Sequence, residues 1–145
     1  MFGQTIVIDN RAGAGGQVGT PEVHPWGATL DATDAQGTDF AVFQPVPGIP
    51  RPELNGAGPG ELSYLTYQVR DSAAFKAFYG AVLGWTIDVE KMPQGDYILG
   101  AAGGTQVVGL MHIPPNAAAG GARPAWTGYV AVTDVDAKAA EAAAS

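Results

Sequence analysis

The pattern of apolar and polar positions is clearest near the middle of the chain. Leu62 to Val69 is rich in Tyr, Thr, Leu and Val, residues that favour a half-buried strand. Apolar residues then recur at helical spacing and form one helix face: Phe75, Phe78, Tyr79, Val82 and Leu83. Asp71 or Ser72 can cap the start of this helix, and Gly84 can end it. The pattern therefore predicts a strand, a helix and a second strand from Trp85 to Glu90.

Alternation along the first of these strands assigns its side chains to two faces of a sheet, because successive residues of a strand point in opposite directions. One face holds Leu65, Tyr67 and Val69. The opposite face holds Tyr64, Thr66 and Gln68. The pattern repeats near the end of the chain, where a strand from Trp126 to Val132 precedes an Ala-rich helix capped by Thr133 or Asp134.

Short strands and turns account for most of the remaining chain. Strands are predicted at Thr5–Ile8, Gln17–Val23, Ala28–Thr33, Asp39–Gln44, Asp96–Ala101 and Thr105–Ile113. Turn residues separate two of the strand pairs, at 34–37 and at Gly103-Gly104. Val46 to Gly60 is rich in proline and glycine and reads as a linker, and Pro114 to Pro124 reads as a loop.

The central segment resembles the vicinal oxygen chelate superfamily, which includes glyoxalases, bleomycin-resistance proteins and dioxygenases. The matching residues are Val69, Asp71 and the run FYGAVLGW from Phe78 to Trp85. This resemblance implies an α+β fold, in which paired βαβββ modules form a cup-shaped mixed sheet with helices on its outer face. A small molecule binds in the cup of such proteins.

The resemblance also implies how the chain is divided. Residues 61–113 match a complete module, and residues 125–145 match the first strand and helix of another. Residues 16–45 resemble the last three strands of a module, with 46–60 as the linker. We therefore predict a single domain, residues 1–145, in circularly permuted order. The incomplete module would be completed within one chain or by exchange in a domain-swapped homodimer, since an uncovered sheet edge is prone to aggregate.

A second resemblance lies at the N-terminus. Residues 3–19 are similar to a segment of tricarboxylate-type periplasmic solute-binding proteins, whose glycine-rich loop helps to bind a carboxylate. Nothing downstream continues that similarity, so the ligand is not transferred to this chain. The loop from Asn10 to Gly16 lacks the Lys-Ser/Thr of a phosphate-binding loop, and a plain turn is the better interpretation.

Charge and cysteine content narrow the function classes. The net charge is −7, with 14 acidic and 7 basic residues, which disfavours nucleic acid and anionic membranes as partners. No cysteine is present, so disulfides and thiolate ligands are excluded. No apolar run reaches the ~20 residues that span a bilayer, and no signal peptide is visible. We expect a cytoplasmic protein.

Metal chemistry is the usual activity of the family, and its ligands are His or Glu from the first and last strands of the modules. The corresponding positions here are Tyr64, Thr127, Ala41 and either Val108 or Gly109. None of them is a good ligand for a divalent ion. The sequence therefore predicts no cofactor and no metal site of the usual kind.

Two histidines leave one alternative open. His24 and His112 could form a rebuilt site for Zn, Ni, Mn or Fe in a lyase, isomerase or hydrolase, although their spacing carries no motif. Either could also act as a general base, since an ordinary histidine titrates near neutral pH. Surface histidines without a function are the plainer interpretation.

The predicted function is binding of a small organic molecule in the cup between modules. Polar contacts are expected from Tyr64, Thr66, Gln68, Thr127 and Tyr129. Apolar walls are expected from Trp26, Phe43 and Met111, together with Tyr97 and Trp126. The competing hypotheses are the metal enzyme described above and a recombined fragment without evolved activity.

Overall fold

A computed structural model of the chain describes residues 16–49, 56, 58–92 and 95–145. The predicted strand at Thr5–Ile8, nearly all of the glycine-rich loop and part of the linker lie outside the described residues. Twelve elements follow one another in the described part, nine strands and three helices. This mixture confirms the predicted α+β class.

Four short strands form an antiparallel sheet near the N-terminus, which we call the N-terminal sheet. They are β1 (Gln17–Val18), β2 (Glu22–His24), β3 (Gly27–Thr33) and β4 (Asp39–Pro45). Strand β3 is central and pairs with the other three. The strand predicted at Gln17–Val23 is interrupted between β1 and β2, where Pro21 has no N–H to donate to the ladder.

Five further strands form a second, mixed sheet, which we call the main sheet. They are β5 (Leu62–Val69), β6 (Thr86–Met92), β7 (Gly95–Ala102), β8 (Thr105–His112) and β9 (Ala125–Val130). Their order across the sheet is β6-β7-β8-β5-β9. Strand β5 runs parallel to β8 and antiparallel to β9, so the predicted first strands of the two modules lie side by side.

Helix α1 (Ser72–Leu83) packs on one face of the main sheet, as its pattern predicts. Asp71 caps it, accepting hydrogen bonds from the amides of residues 73 and 74, and Gly84 ends it at φ 68°. The buried residues of α1 and of the strand beneath it form the core: Phe75, Phe78, Tyr79, Tyr67 and Val69. Burying each such side chain contributes on the order of 1.5–3 kcal/mol.

The β3–β4 turn joins the two sheets through a buried carboxylate. Asp34 is 2% exposed, and its Oδ1 accepts hydrogen bonds from the backbone amides of Gln36 (2.8 Å) and Thr38 (3.0 Å). Its Oδ2 accepts hydrogen bonds from the hydroxyls of Tyr67 (2.7 Å) and Tyr79 (3.0 Å). Burial raises the pKa of both phenols, and the nearby carboxylate raises them further. The turn was predicted, but its role in joining the sheets was not.

One element differs from the prediction. The segment predicted as a loop at 114–124 contains a short helix, α2 (Pro115–Ala119). The last helix, α3 (Val135–Ala144), is capped by Asp134 and has no buried residue. Within the described residues, no strand of the N-terminal sheet pairs with the main sheet, and completion of the incomplete module within one chain is not tested by this. Exchange between two chains stays a prediction.

None of the helices in the described ranges is long and apolar enough to cross a membrane.

Candidate functional site

The face of the main sheet opposite α1 carries most of the predicted site residues, and we call it the open face. Strand register places Thr127 and Gly109 on either side of Thr66, and places Tyr129 opposite Tyr64. The open face comprises Tyr64, Thr66, Gln68, Tyr97, Gly109, Met111, Thr127 and Tyr129. Alternation along each strand separates them from the buried residues beneath α1.

Tyrosines gather at the centre of this face. The hydroxyls of Tyr64 and Tyr97 are hydrogen-bonded to each other, and the Gln106 side-chain amide donates to the Tyr64 hydroxyl at 3.2 Å. The ring of Tyr129 lies 6.0 Å from that of Tyr64. Burial raises the pKa of Tyr97 above its ordinary value, and the hydrogen bond to Tyr64 raises it further.

A glycine allows these hydroxyls to reach the sheet. A Cβ added at Gly109 would overlap the hydroxyl oxygens of both Tyr64 and Tyr97. Thr66 lies next to Gly109, is 2% exposed, and its hydroxyl has no hydrogen-bond partner in the part of the chain that the structure describes. We call Gly109, the Thr66 hydroxyl and the hydroxyls of Tyr64 and Tyr97 the polar notch. A buried hydroxyl without a partner carries a free-energy cost that a suitable ligand would remove.

Six of the predicted ligand contacts lie on the open face: Tyr64, Thr66, Gln68, Met111, Thr127 and Tyr129. The side chain of Met111 is exposed. Three predicted wall residues do not lie on this face. Trp26 and Phe43 lie together on the N-terminal sheet, with ring centroids 5.6 Å apart. Trp126 packs on the α1 side of the main sheet, against Tyr67. Strand pairing therefore places Trp26, Phe43 and Trp126 away from the open face, and their role as walls of a cup stays a prediction.

The two histidines lie on different sheets. His24 stacks on Trp26 with ring centroids 4.5 Å apart, and its Nε2 is 3.7 Å from a carboxylate oxygen of Glu22. His112 is exposed at the end of β8, where it pairs with Val69. No described contact joins them. Among the residues described, no group of three or more His, Cys, Asp or Glu could hold a metal ion.

The positions that correspond to the family's metal ligands do not fit a divalent ion. Tyr64, Gly109 and Thr127 lie on neighbouring strands of the open face, whereas Ala41 lies on the N-terminal sheet. None of these residues supplies an imidazole or a carboxylate. The Tyr64 hydroxyl is also engaged by two hydrogen bonds.

Sequence reasoning missed how Gly109, Gln106 and Tyr97 contribute to the notch. Gly109 lies inside a strand, where glycine often marks a close approach of other atoms, and this signal could have identified it. Tyr97 and Gln106 carry no comparable signal, because their contacts with Tyr64 depend on strand pairing across 33 and 42 residues.

Comparison with known proteins agrees with this fold and with the sequence motif formed by Val69, Asp71 and residues 78–85. The model of the Glyoxalase/Bleomycin resistance protein/Dioxygenase superfamily matches residues 61–145, more than half of the chain. The chain belongs to this superfamily.

Two curated relatives carry the name "Putative glyoxylase CFP32", one from Mycobacterium bovis and one from Mycobacterium tuberculosis. Each is 35% identical over 80 residues, which cover 54% of this chain and 30% of the relative. The chain thus spans less than a third of the length of these relatives.

Proposed function

We propose that this chain binds a small organic molecule on the open face of the main sheet, without the divalent metal that enzymes of the superfamily use. The observation that carries the proposal is the polar notch. A buried hydroxyl without a described partner lies on the strand next to Gly109, and two hydrogen-bonded phenols reach the same glycine. A few polar groups among aromatic and apolar side chains are typical of small-molecule sites.

The ligand is expected to be flat and not anionic. The rings of Tyr64 and Tyr129 and the exposed side chain of Met111 offer apolar surface. Asp88 and Glu90 are exposed on β6 and pair with Leu99 and Tyr97, which places both carboxylates at one edge of the open face. Together with the net charge of −7, they disfavour an anion.

Amide chemical shifts during titration with a set of flat aromatic compounds test the proposal. A ligand on the open face should shift the amides of β5, β8 and β9 and leave those of the N-terminal sheet unchanged. Replacing Thr66 with Val should weaken binding about fivefold, the equivalent of roughly 1 kcal/mol for one hydrogen bond. Thr86→Val is the matched control, since Thr86 is exposed on β6 and bonds a backbone carbonyl instead. Equal effects of the two substitutions would contradict the proposed site.

Elemental analysis of the purified protein tests the metal-free part of the proposal separately. We expect Zn, Ni, Mn and Fe well below one ion per chain. One bound ion per chain that is lost when His24 or His112 is replaced by Ala would support the metal enzyme instead.

We also propose that a second copy of the chain covers the outer edge of β9. That edge has no partner strand among the described residues, and the edge strand exposes Val130 at 57%. Unpaired edges commonly associate. The helix that follows, α3, likewise buries none of its residues.

A further inference from the structure

We infer that the polar notch selects a flat organic molecule with an uncharged acceptor oxygen, such as an aromatic ketone or amide. This oxygen would accept a hydrogen bond from the one phenol hydroxyl of the Tyr64–Tyr97 pair that does not donate within the pair. The inference rests on the proposed function and adds the chemical class of the ligand.

The surplus proton follows from counting donors and acceptors in the notch. Two phenols carry two hydroxyl protons, and the single hydrogen bond between Tyr64 and Tyr97 uses one of them. Gln106 approaches Tyr64 through its amide nitrogen, which donates and does not accept. Whichever phenol donates to the other, one proton remains without an acceptor within the described ranges.

Thr66 adds a second donor beside the pair. Its hydroxyl is buried next to Gly109 and makes no hydrogen bond with the described residues. A carbonyl oxygen has two lone pairs and can accept from a phenol and from this hydroxyl together. A ligand that offers only donors would leave the surplus protons unpaired and would gain nothing from the notch.

Charge decides between a neutral carbonyl and a carboxylate. A carboxylate is the stronger acceptor, but its ligand would carry a negative charge onto a face edged by Asp88 and Glu90. The notch presents neutral hydroxyls, which offer hydrogen bonds but no cation to balance that charge. The uncharged oxygen therefore fits better.

Three probes of nearly the same shape test this inference: acetophenone, α-methylstyrene and benzoate. In α-methylstyrene a methylene group replaces the carbonyl oxygen, and in benzoate a carboxylate replaces the acetyl group. Titrations followed at the amides of Thr66 and Gly109 give the three dissociation constants. We expect acetophenone to bind about three- to tenfold more tightly than α-methylstyrene, the equivalent of one neutral hydrogen bond. Benzoate should bind more weakly than acetophenone.

Variants identify the donor. The Tyr64→Phe/Tyr97→Phe double variant should lose most of the preference for acetophenone, whereas Tyr97→Phe should keep part of it, since Tyr64 retains a proton. If the double variant does not fold, the ratio measured on the wild-type chain decides.

The outcomes separate this inference from the proposed function. Equal binding of acetophenone and α-methylstyrene on the open face would overturn the inference and leave the proposed function standing. Tighter binding of benzoate would overturn the uncharged class. The absence of any open-face shift with all three probes and with the wider aromatic set would count against both.

Discussion

Replacing Asp34 with Asn should destabilise the fold strongly, because this carboxylate accepts four hydrogen bonds in a buried position. The substitution keeps the shape and the oxygen that the amides of Gln36 and Thr38 contact. It replaces the oxygen that faces Tyr67 and Tyr79 with an NH₂ group, which donates and does not accept. The two phenols therefore lose their shared acceptor.

The magnitude follows from those two bonds. A hydrogen bond to a charged group contributes about 1.5–3 kcal/mol, so losing two would cost about 3–6 kcal/mol. Part of this returns, because each phenol can rotate and accept from the new amide in a neutral bond of about 1 kcal/mol. We expect a net loss of about 1–4 kcal/mol. For a chain of this size that lowers the melting temperature by roughly 3–15 °C.

Urea unfolding measures the loss through the fluorescence of Trp85 and Trp126, whose rings pack against Tyr79. Asp39→Asn is the matched control, since Asp39 is exposed on the same hairpin and accepts one hydrogen bond, from the Thr33 hydroxyl at 3.2 Å. That change should cost about 0.5 kcal/mol or less. Equal losses in the two variants would refute the role assigned to the buried carboxylate.

Three further predictions follow from other parts of the fold. Because burial raises the pKa of Tyr67 and Tyr79, the folded chain keeps protons that the unfolded chain loses near pH ~10. The free energy of unfolding should thus be full below that pH and should fall above it by about 1.4 kcal/mol per pH unit for each tyrosine. The fall should be shallower in the Tyr79→Phe variant. Urea unfolding at several alkaline pH values measures both. Gly84→Ala should lower the free energy of unfolding by about 1–2 kcal/mol, because Gly84 has a φ of 68°. Gly80→Ala should raise it by about 0.5–1 kcal/mol, because Gly80 lies inside α1 and the nearest atom to the added Cβ is 3.5 Å away. Thermal melts that show the same sign for both glycines would contradict this. Val130→Lys on the edge of β9 should convert a dimer into a monomer in light scattering, and a wild-type monomer would remove the case for a second copy.

Much of the region after the linker could be predicted from the sequence, because the deciding signals there are local. Spacing along α1 identified its buried face, and Asp71 and Gly84 identified its ends. Two consecutive glycines predicted the turn between β7 and β8, where both adopt positive φ. Alternation along β5 separated the side chains of the open face from those of the α1 face. It thereby grouped Tyr64, Thr66 and Gln68, which belong to the candidate site.

Only the tertiary structure decided how distant segments meet. Asp34 carries an ordinary turn signal, and its burial against Tyr67 and Tyr79 depends on how the N-terminal sheet packs over α1. Trp26 is of the aromatic type expected in the wall of a binding site, but it lies on the N-terminal sheet. Tyr97 meets Tyr64 because β7, β8 and β5 are adjacent and Gly109 leaves room between them. The alternation of side chains along one strand determines which face a residue occupies. Strand order and register determine its neighbours, and both depend on packing across the whole fold.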